Sequence, residues 1–484
     1  MSTTQAPLML SVSGCRGIVG ESLTTDVARA FAAAFGSWLV ERVGRTEPGR
    51  DLGARPVTIA IGRDGRARGE TIHKAAVRGL LGAGCRVLDL DVATTPTVAV
   101  AVDRHEADGG MVVTASHNPQ QWNGLKCLLG GDRNADHVGA CAPPAALAAE
   151  IIERFRSHAD GAGRTGEPET AEDAAADHAH LVASALEHVA GPETRAIGAG
   201  KRVVLDSVNA SGARAGRLLL ESLGCEVVHL NDSDSGLFPH PPEPTRENLG
   251  SLCDAVRKHG AHVGFAQDPD ADRLAIIDEQ GRYIGEEYTL ALAAEAVLGS
   301  PIFRDRARGS VLAANLSTSR MIDDVAAAYG ATVVRTAVGE ANVVEAMKQR
   351  RAVLGGEGNG GVIWPRVTYV RDSLGAMALV LALMARTGRT VGALAAALPA
   401  YAIEKRKVDL ARREDAAAAI EKIAHAYRGE RLDTQDGVRV DFDSRRAWLH
   451  VRPSNTEPIM RLIAEAPTAE EARQILDEAA RVIG

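Results

Sequence analysis

Three aspartates at alternate positions follow an apolar run in Gln267-Asp268-Pro269-Asp270-Ala271-Asp272-Arg273. Carboxylates this close repel one another unless a hard cation lies among them, and an all-oxygen ligand set selects magnesium or calcium. As mere solvated turn residues they would need no cation. As an EF-hand loop they would need glycine where Arg273 stands and helical flanks, whereas these flanks read as strands. Asp268, Asp270 and Asp272 are therefore expected to form a metal site. A second polar loop, Thr114-Ala115-Ser116-His117-Asn118-Pro119, also ends an apolar run, and Trp122-Asn123-Gly124-Leu125-Lys126 follows it. A serine hydroxyl is a weak nucleophile at neutral pH, but it can carry a phosphoryl group when a metal and nearby bases assist. In isolation Ser116 would read as a helix N-cap or a turn residue before Pro119, and His117 as structural.

Two further loops suit a phosphorylated sugar. Arg452-Pro453-Ser454-Asn455-Thr456-Glu457-Pro458 gathers a guanidinium, hydroxyls, an amide and backbone N–H groups on one tight turn, an arrangement able to nest a phosphate. Gly355-Gly356-Glu357-Gly358-Asn359-Gly360-Gly361 lets backbone approach a ligand closely, and Glu357 and Asn359 can bond sugar hydroxyls. It lacks the G-x-x-x-x-G-K-[ST] pattern of a nucleotide loop, and each of the two alone is a common kind of turn.

The elements that must position these loops repeat one theme, a short β-branched run, a polar loop, then an Ala/Leu-rich helical stretch. Val57 to Ile61, Met111 to Thr114, Val203 to Leu205, His262 to Phe265 and Val311 to Ala314 are the strands. The alternation predicts parallel α/β sheets, with ligands gathered at the carboxyl ends of the strands. At 484 residues the chain is too long for one core. The aperiodic stretch from Ser157 to His180, the hairpin turn after Leu274 to Asp278, and Thr387-Gly388-Arg389 set the boundaries, giving units 1–160, 161–281, 282–394 and 395–484. The last differs in kind: Val438 to Phe442 and Ala447 to Val451 alternate around a turn, and Thr468-Ala469-Glu470-Glu471 is a capping box for a terminal helix.

Bulk properties narrow the partners. A net charge of -8 and the lack of a basic patch interleaved with aromatics argue against nucleic acid. The N-terminus has no positive n-region and the longest apolar run, Leu374 to Ala385, is too short for a bilayer, so a cytoplasmic protein is expected. Six cysteines without a C-x-x-C pair are expected to be inert core thiols.

Taken in this order, the four loops resemble the α-D-phosphohexomutase family of phosphoglucomutases, phosphomannomutases and phosphoglucosamine mutases, and the likeness spans essentially the whole chain. The serine loop is similar to the family's T-A-S-H-N-P, with Ser116 at the phosphoserine position. The aspartates fall on its D-x-D-x-D-R magnesium loop, Glu357 on its G-E-x-S-G sugar loop, and Arg452, Ser454, Asn455, Thr456 and Arg461 on its R-x-S-G-T-E-P phosphate loop and just beyond. Gly14-Cys15-Arg16-Gly17, Gly62-Arg63-Asp64, Thr95-Pro96-Thr97 and Arg371-Asp372 echo the family more faintly. Asn359 stands where serine is usual and Gly361 where histidine is usual. Asn455 replaces a glycine while keeping the left-handed backbone accessible. Asn209-Ala210-Ser211-Gly212 departs from N-G-x-G, with no catalytic consequence expected.

The resemblance implies three α/β domains with mixed sheets and a smaller α+β C-terminal domain around a central cleft, each supplying one loop. It implies a monomer or homodimer acting on small hexose phosphates, with Mg2+ held by Ser116 and the three aspartates and a hexose 1,6-bisphosphate as activator. Arg16, Glu357, Asn359, Arg452, Ser454, Asn455, Thr456 and Arg461 would bind substrate. Ser116, His117, Lys126 and Arg273 would serve the transfer, with Lys126 the better proton acceptor because arginine stays charged. The opening residues, the Asn118 to Asn123 run and the glycine-rich loop look most like phosphoglucosamine mutases, with phosphoglucomutase or phosphomannomutase activity the alternative. A haloacid-dehalogenase-like phosphatase, with Asp268 as nucleophile and Asp270 as acid, would lack the downstream threonine and leave three loops unexplained. A silent sugar-phosphate binding protein would not need Ser116 and all three aspartates.

Overall fold

Runs such as Gly109–Val113 and Val263–Gln267 are buried at every residue, as strands covered on both faces must be. The computed structural model describes residues 7–131, 139–157, 166–191, 194–412, 414–453 and 459–484. Its first sheet joins β1 (Met9–Ser11), β2 (Gly14–Ile18), β3 (Thr58–Arg63), β4 (Arg86–Val92), β5 (Gly109–Val113), β6 (Trp122–Leu129) and β7 (Glu169–Thr170) in the order β1-β2-β6-β5-β3-β4-β7. The second joins β8 (Arg202–Asp206), β9 (Glu226–Leu230), β10 (Val263–Gln267) and β11 (Leu274–Ile277) in the order β11-β10-β8-β9. The third joins β12 (Val311–Asn315), β13 (Thr332–Thr336), β14 (Leu354–Glu357) and β15 (Gly361–Ile363) in the order β13-β12-β14-β15.

These three sheets are mixed, not purely parallel as the strand and helix alternation alone predicted. β6, β11 and β15 run antiparallel to β5, β10 and β14, because the chain returns at once in a hairpin where a helix was expected. The serine, aspartate and glycine-rich loops are those three hairpin connections. The fourth sheet is antiparallel throughout, β16 (Ala402–Asp409), β17 (Arg431–Asp433), β18 (Val438–Phe442), β19 (Ala447–Pro453) and β20 (Ile459–Ala466), in the order β16-β20-β19-β18-β17. Its β18–β19 hairpin pairs Phe442 with Ala447, and Thr468 Oγ1 caps the helix Ala469–Ile483 by accepting from Glu471 N–H at 3.2 Å.

The longest apolar run becomes the helix Ser373–Thr387, buried at each residue from Ser373 to Met384. A helix apolar on every face belongs inside a core. Here it packs on the helices Glu287–Leu298 and Ala174–Ala190, and one continuous apolar interior runs from Leu205 and Phe265 of the second sheet to Leu312 and Leu354 of the third. No helix among the described residues is long and apolar enough to cross a membrane. β7 lies past residue 160 yet pairs with β4 of the first sheet. Cys15, Cys85, Cys127 and Cys225 are buried, and burial pushes the Cys15 and Cys85 thiols up to about 12.

The first sheet is covered by the helices Thr25–Thr46 and Gly69–Gly82, which cross so closely that a Cβ on Gly79 would meet the Arg29 carbonyl oxygen at 2.2 Å. Alanine gains about 1 kcal/mol of helix propensity over glycine. Forcing two packed backbones apart costs about 1–3 kcal/mol. The clash outweighs the gain, so Gly79→Ala should lower the midpoint of thermal unfolding; an unchanged or raised midpoint by calorimetry would contradict this packing.

Candidate active site

The serine loop is held in a conformation it would not adopt alone. Ser116 has φ +49°, a left-handed backbone that is uncommon outside glycine and asparagine, and its side chain is buried. Thr114 Oγ1 accepts from Ser116 N–H at 2.8 Å and donates to Asp64 Oδ2 at 2.6 Å. The fully buried Arg66 completes the frame, donating to Asp64 Oδ2 at 2.8 Å, to the Ser116 carbonyl at 2.6 Å and to the Trp122 carbonyl at 2.7 Å. Ser116 Oγ is thereby presented to Asp268, donating to Oδ2 at 2.8 Å, with His117 Nδ1 at 3.5 Å.

The aspartate loop turns on Pro269, with Ala271 N–H donating to the Asp268 carbonyl at 2.9 Å and Ala271 at φ +53°. That turn brings alternate residues together: ligand oxygens of Asp268, Asp270 and Asp272 lie within 4.8 Å of one another, all three side chains fully buried. At an effective dielectric constant of about 20, each pair at such a distance repels by roughly 3–4 kcal/mol. Two cations and a hydroxyl from other elements offset this. Lys126 Nζ donates to Asp270 Oδ2 at 2.5 Å and to Asp272 Oδ2 at 3.0 Å, Arg371 donates to Asp272 Oδ2 at 2.6 Å, and Thr95 Oγ1 donates to Asp270 Oδ2 at 2.6 Å.

The ionisation of each group follows from this pattern. Burial raises the Asp268 pKa well above the carboxylate range, and its two neighbours push the same way. For Asp272, burial is outweighed by Arg371, Lys126 and Arg273, which hold its carboxyl well below that range. Burial works against the Lys126 ammonium, but Asp270 and Asp272 outweigh it and keep its pKa above the ordinary value. The half-buried His117 ring is pushed down to about 3 by burial and by the Arg273 and Arg16 guanidinia, leaving it neutral at pH 7. Asp270 Oδ1 and Asp272 Oδ1 are buried without a hydrogen-bond partner. Two orphaned carboxylate oxygens beside Asp268 and Ser116 Oγ are a donor set that fits a hard divalent cation.

The expected substrate contacts gather on the same cleft. Ser116, His117, Lys126, Arg16, Arg273, Glu357 and Asn359 line a cavity of about 330 Å3, and Arg16 reaches Asn118 Oδ1 at 3.1 Å. An adjoining cavity of about 780 Å3 shares His117, Glu357 and Asn359 and adds Arg452 and Arg461. Glu357 accepts from Asn315 Nδ2 at 2.8 Å and from Arg371 at 2.8 Å. Arg452 and Arg461 lie directly opposite across β19 and β20, and Lys407 of β16 lies opposite Arg461. Like charges facing one another across strands are unfavourable unless an anion lies among them. Arg452 also pairs with Asp436 at 3.1 Å. Ser454, Asn455 and Thr456 lie outside the described residues.

Sequence reasoning did not single out Arg66, Glu340, Lys407 or Glu243, which lines the outer cleft within 3.7 Å of both His117 and Arg273. Lys407 sits at an alternating position in β16, where the period of two could have pointed to the Arg461 face; the other three carry no local signal. Asn209-Ala210-Ser211-Gly212, from which no catalytic consequence is expected, braces the aspartate loop, since Ser211 Oγ donates to the Pro269 carbonyl at 2.8 Å.

Three mixed α/β sheets and one antiparallel sheet close hairpin loops around a serine, a carboxylate triad and a cationic wall, the arrangement that the resemblance to phosphohexomutases implies. Family models agree: phosphoglucomutase/phosphomannomutase alpha/beta/alpha domain I matches residues 9–138, domain II residues 184–281, domain III residues 286–401, and the C-terminal domain residues 406–482. A phosphoglucomutase/phosphomannomutase of Thermococcus kodakarensis is 36% identical over 467 residues, 96% of each chain. A probable phosphoglucosamine mutase of Methanopyrus kandleri is 34% identical over 470 residues, 96% of this chain and 95% of the other. The crystal structure of a phosphoglucomutase/phosphomannomutase family protein from Burkholderia thailandensis superposes with a TM-score of 0.78 at 27% identity, covering 98% of both chains. The chain belongs to the phosphoglucomutase/phosphomannomutase family. It is an isomerase of the intramolecular phosphotransferase kind.

Thr114→Val keeps the side chain's volume but leaves Ser116 N–H without a partner and leaves Asp64 Oδ2 with Arg66 alone. Stability should fall by about 1–3 kcal/mol. Turnover should fall by about tenfold or more as Ser116 loses its fixed placement. A variant with parent-like kcat would show that this frame does not hold the serine.

Proposed function

We propose that the chain interconverts hexose 6-phosphates and hexose 1-phosphates through a phosphorylated Ser116, with glucosamine 6-phosphate the preferred substrate. The observation that carries this reading is Ser116 Oγ, buried at a strand-end loop and 2.8 Å from Asp268 of the carboxylate triad. Units 1–160, 161–281, 282–394 and 395–484 each supply one loop to the reaction. All come from one chain, which suits a monomer and a homodimer alike.

In the forward reaction the phosphorus–Oγ bond of phosphorylated Ser116 breaks and a bond to the C1 oxygen of the 6-phosphate forms. The C1 hydroxyl proton goes to a base and Ser116 Oγ takes up a proton. The 1,6-bisphosphate then turns over in the cleft, and the same steps in reverse return the 6-phosphoryl group to Ser116 and release the 1-phosphate. Added hexose 1,6-bisphosphate activates by recharging Ser116. Mg2+ held by Asp268, Asp270, Asp272 and the Ser116 side chain would supply Lewis-acid neutralisation of the charge on the transferring group.

His117 borders Ser116 Oγ and is neutral, but with its pKa pushed down to about 3 it can accept a hydrogen bond there and is a weak base for the role of proton acceptor. Lys126, which the sequence favoured for that role, is held charged by Asp270 and Asp272 and is better suited to donate a proton and to offset charge. Arg273 keeps a fixed positive charge at the cleft wall. Glu357 and Asn359 receive the sugar hydroxyls, and Arg16, Arg452, Ser454, Asn455, Thr456 and Arg461 the phosphate that is not transferred. The preference for an amino sugar is supported by Glu243 and Glu286 on the larger cavity, carboxylates that can partner an ammonium. Glucose or mannose phosphates are the alternative, as the name of the Thermococcus relative suggests.

Ser116→Ala should lower turnover by orders of magnitude without changing the fold, and intact-mass analysis should find the phosphate of the parent on Ser116. A phosphate elsewhere together with an active Ser116→Ala variant would sink the reading. Coupled assays on glucose, mannose and glucosamine 6-phosphates, started with catalytic bisphosphate, should rank glucosamine first. Phosphate release without isomer formation would instead favour a phosphatase.

One phosphate site must serve both isomers, so Arg452→Ala should lower kcat/KM for the 1-phosphate and the 6-phosphate by a similar factor and raise the requirement for added bisphosphate. An effect on one isomer alone would refute a shared site.

A further inference from the structure

Arg371 joins three carboxylates that come from three different segments. Its guanidinium donates from Nη2 to Asp272 Oδ2 at 2.6 Å, from Nη1 to Glu357 Oε2 at 2.8 Å, and from Nε to Glu340 Oε2 at 2.7 Å. Asp272 belongs to the β10–β11 loop, Glu357 ends β14, and Glu340 opens the helix Glu340–Arg350. The side chain is nearly buried, and its stem lies on Gly361 so closely that a Cβ there would come within 2.2 Å of Arg371 Cδ. Gly361 thus leaves the room through which the arginine reaches the triad. Arg371, Glu340 and Glu357 all line the cavity that holds Ser116.

We propose that Arg371 is a positioning residue for the phosphoryl transfer and that it limits how tightly the aspartate triad takes a divalent cation. The first half rests on the mutase reading; the second does not. One face of the guanidinium aims Glu357 at the sugar. The other occupies Asp272 Oδ2, which it shares with Lys126, and places a fixed positive charge beside the triad. Like charge at this range opposes a second cation, so the arginine holds the loop assembled while keeping metal affinity moderate. An arginine that merely braced the fold would have a different signature: its loss would weaken metal binding and activity together.

Removal should instead move the two in opposite directions. In Arg371→Met, Mg2+ titrated calorimetrically should bind about tenfold more tightly or better, because the triad keeps its charge and loses a competitor. Turnover should fall by about a hundredfold as Glu357 loses its aim, the order of loss a small misplacement brings. Arg371→Lys, which keeps the charge but not the three-way fork, should keep parent-like Mg2+ affinity with reduced turnover. Gly361→Ala retains the arginine but displaces its stem, and should reproduce the tighter Mg2+ binding; added to Arg371→Ala it should cause no further loss of turnover. Folded Arg371→Met and Gly361→Ala variants with unchanged or weaker Mg2+ binding would overturn the metal half. Parent-like turnover in Arg371→Met would overturn the positioning half. A parent chain that interconverts no hexose phosphate would refute the mutase reading and the positioning half, leaving the Mg2+ comparison to decide the metal half.

Discussion

Burying Asp268, Asp270 and Asp272 within reach of one another is the constraint on which the rest of this structure depends. No single sheet can neutralise that much negative charge by itself. The compensating groups come from elsewhere: Lys126 from β6, Thr95 from the helix after β4, and Arg371 from the segment before the central helix. Each is anchored in a different part of the chain, so the electrostatics of one loop fix how the first three sheets meet. The anchoring is mutual, because Thr95 N–H also donates to the Asp270 carbonyl and Ser373 N–H to the Ala271 carbonyl.

Hairpins answer that constraint better than strand-to-helix turns would. A loop between two paired strands is pinned at both ends, and the backbone can then hold residues such as Ser116 and Ala271 in left-handed conformations that cost on the order of 1–3 kcal/mol each. This gives the antiparallel edge strands a purpose, since β6, β11 and β15 fix the second ends of the serine, aspartate and sugar loops. In the fourth sheet β19 and β20 are likewise paired antiparallel, from Trp448 opposite Glu465 to Pro453 opposite Met460.

Much of this was legible in the sequence because it is local. Strand runs ending in polar loops, the alternate aspartates, and the Thr468 cap are patterns within a few residues. The mixed pairing was less visible, since a short apolar run reads alike whether it pairs parallel or antiparallel. Arg371-Asp372 gives a faint local signal and Arg66 none, and neither residue's partner can be read from its neighbours: Arg66 reaches the Ser116 carbonyl 50 residues away, Arg371 reaches Asp272 99 residues away. Glu340 looks like an ordinary acidic residue in the first turn of a helix, where it is favoured anyway. The run Leu374 to Ala385 shows its length in the sequence, whereas its burial on every side depends on the helices packed around it.

That central helix carries a mechanical consequence. The second and third sheets exclude water from one interior that the helix fills, and separating them would expose apolar side chains from both at once. They therefore behave as a single foldon, whose amides share one opening free energy. The aspartate loop and the sugar loop ride on that one body, so the spacing between them is a property of a packed core. Any breathing of the cleft is left to the fourth sheet, whose apolar core is its own.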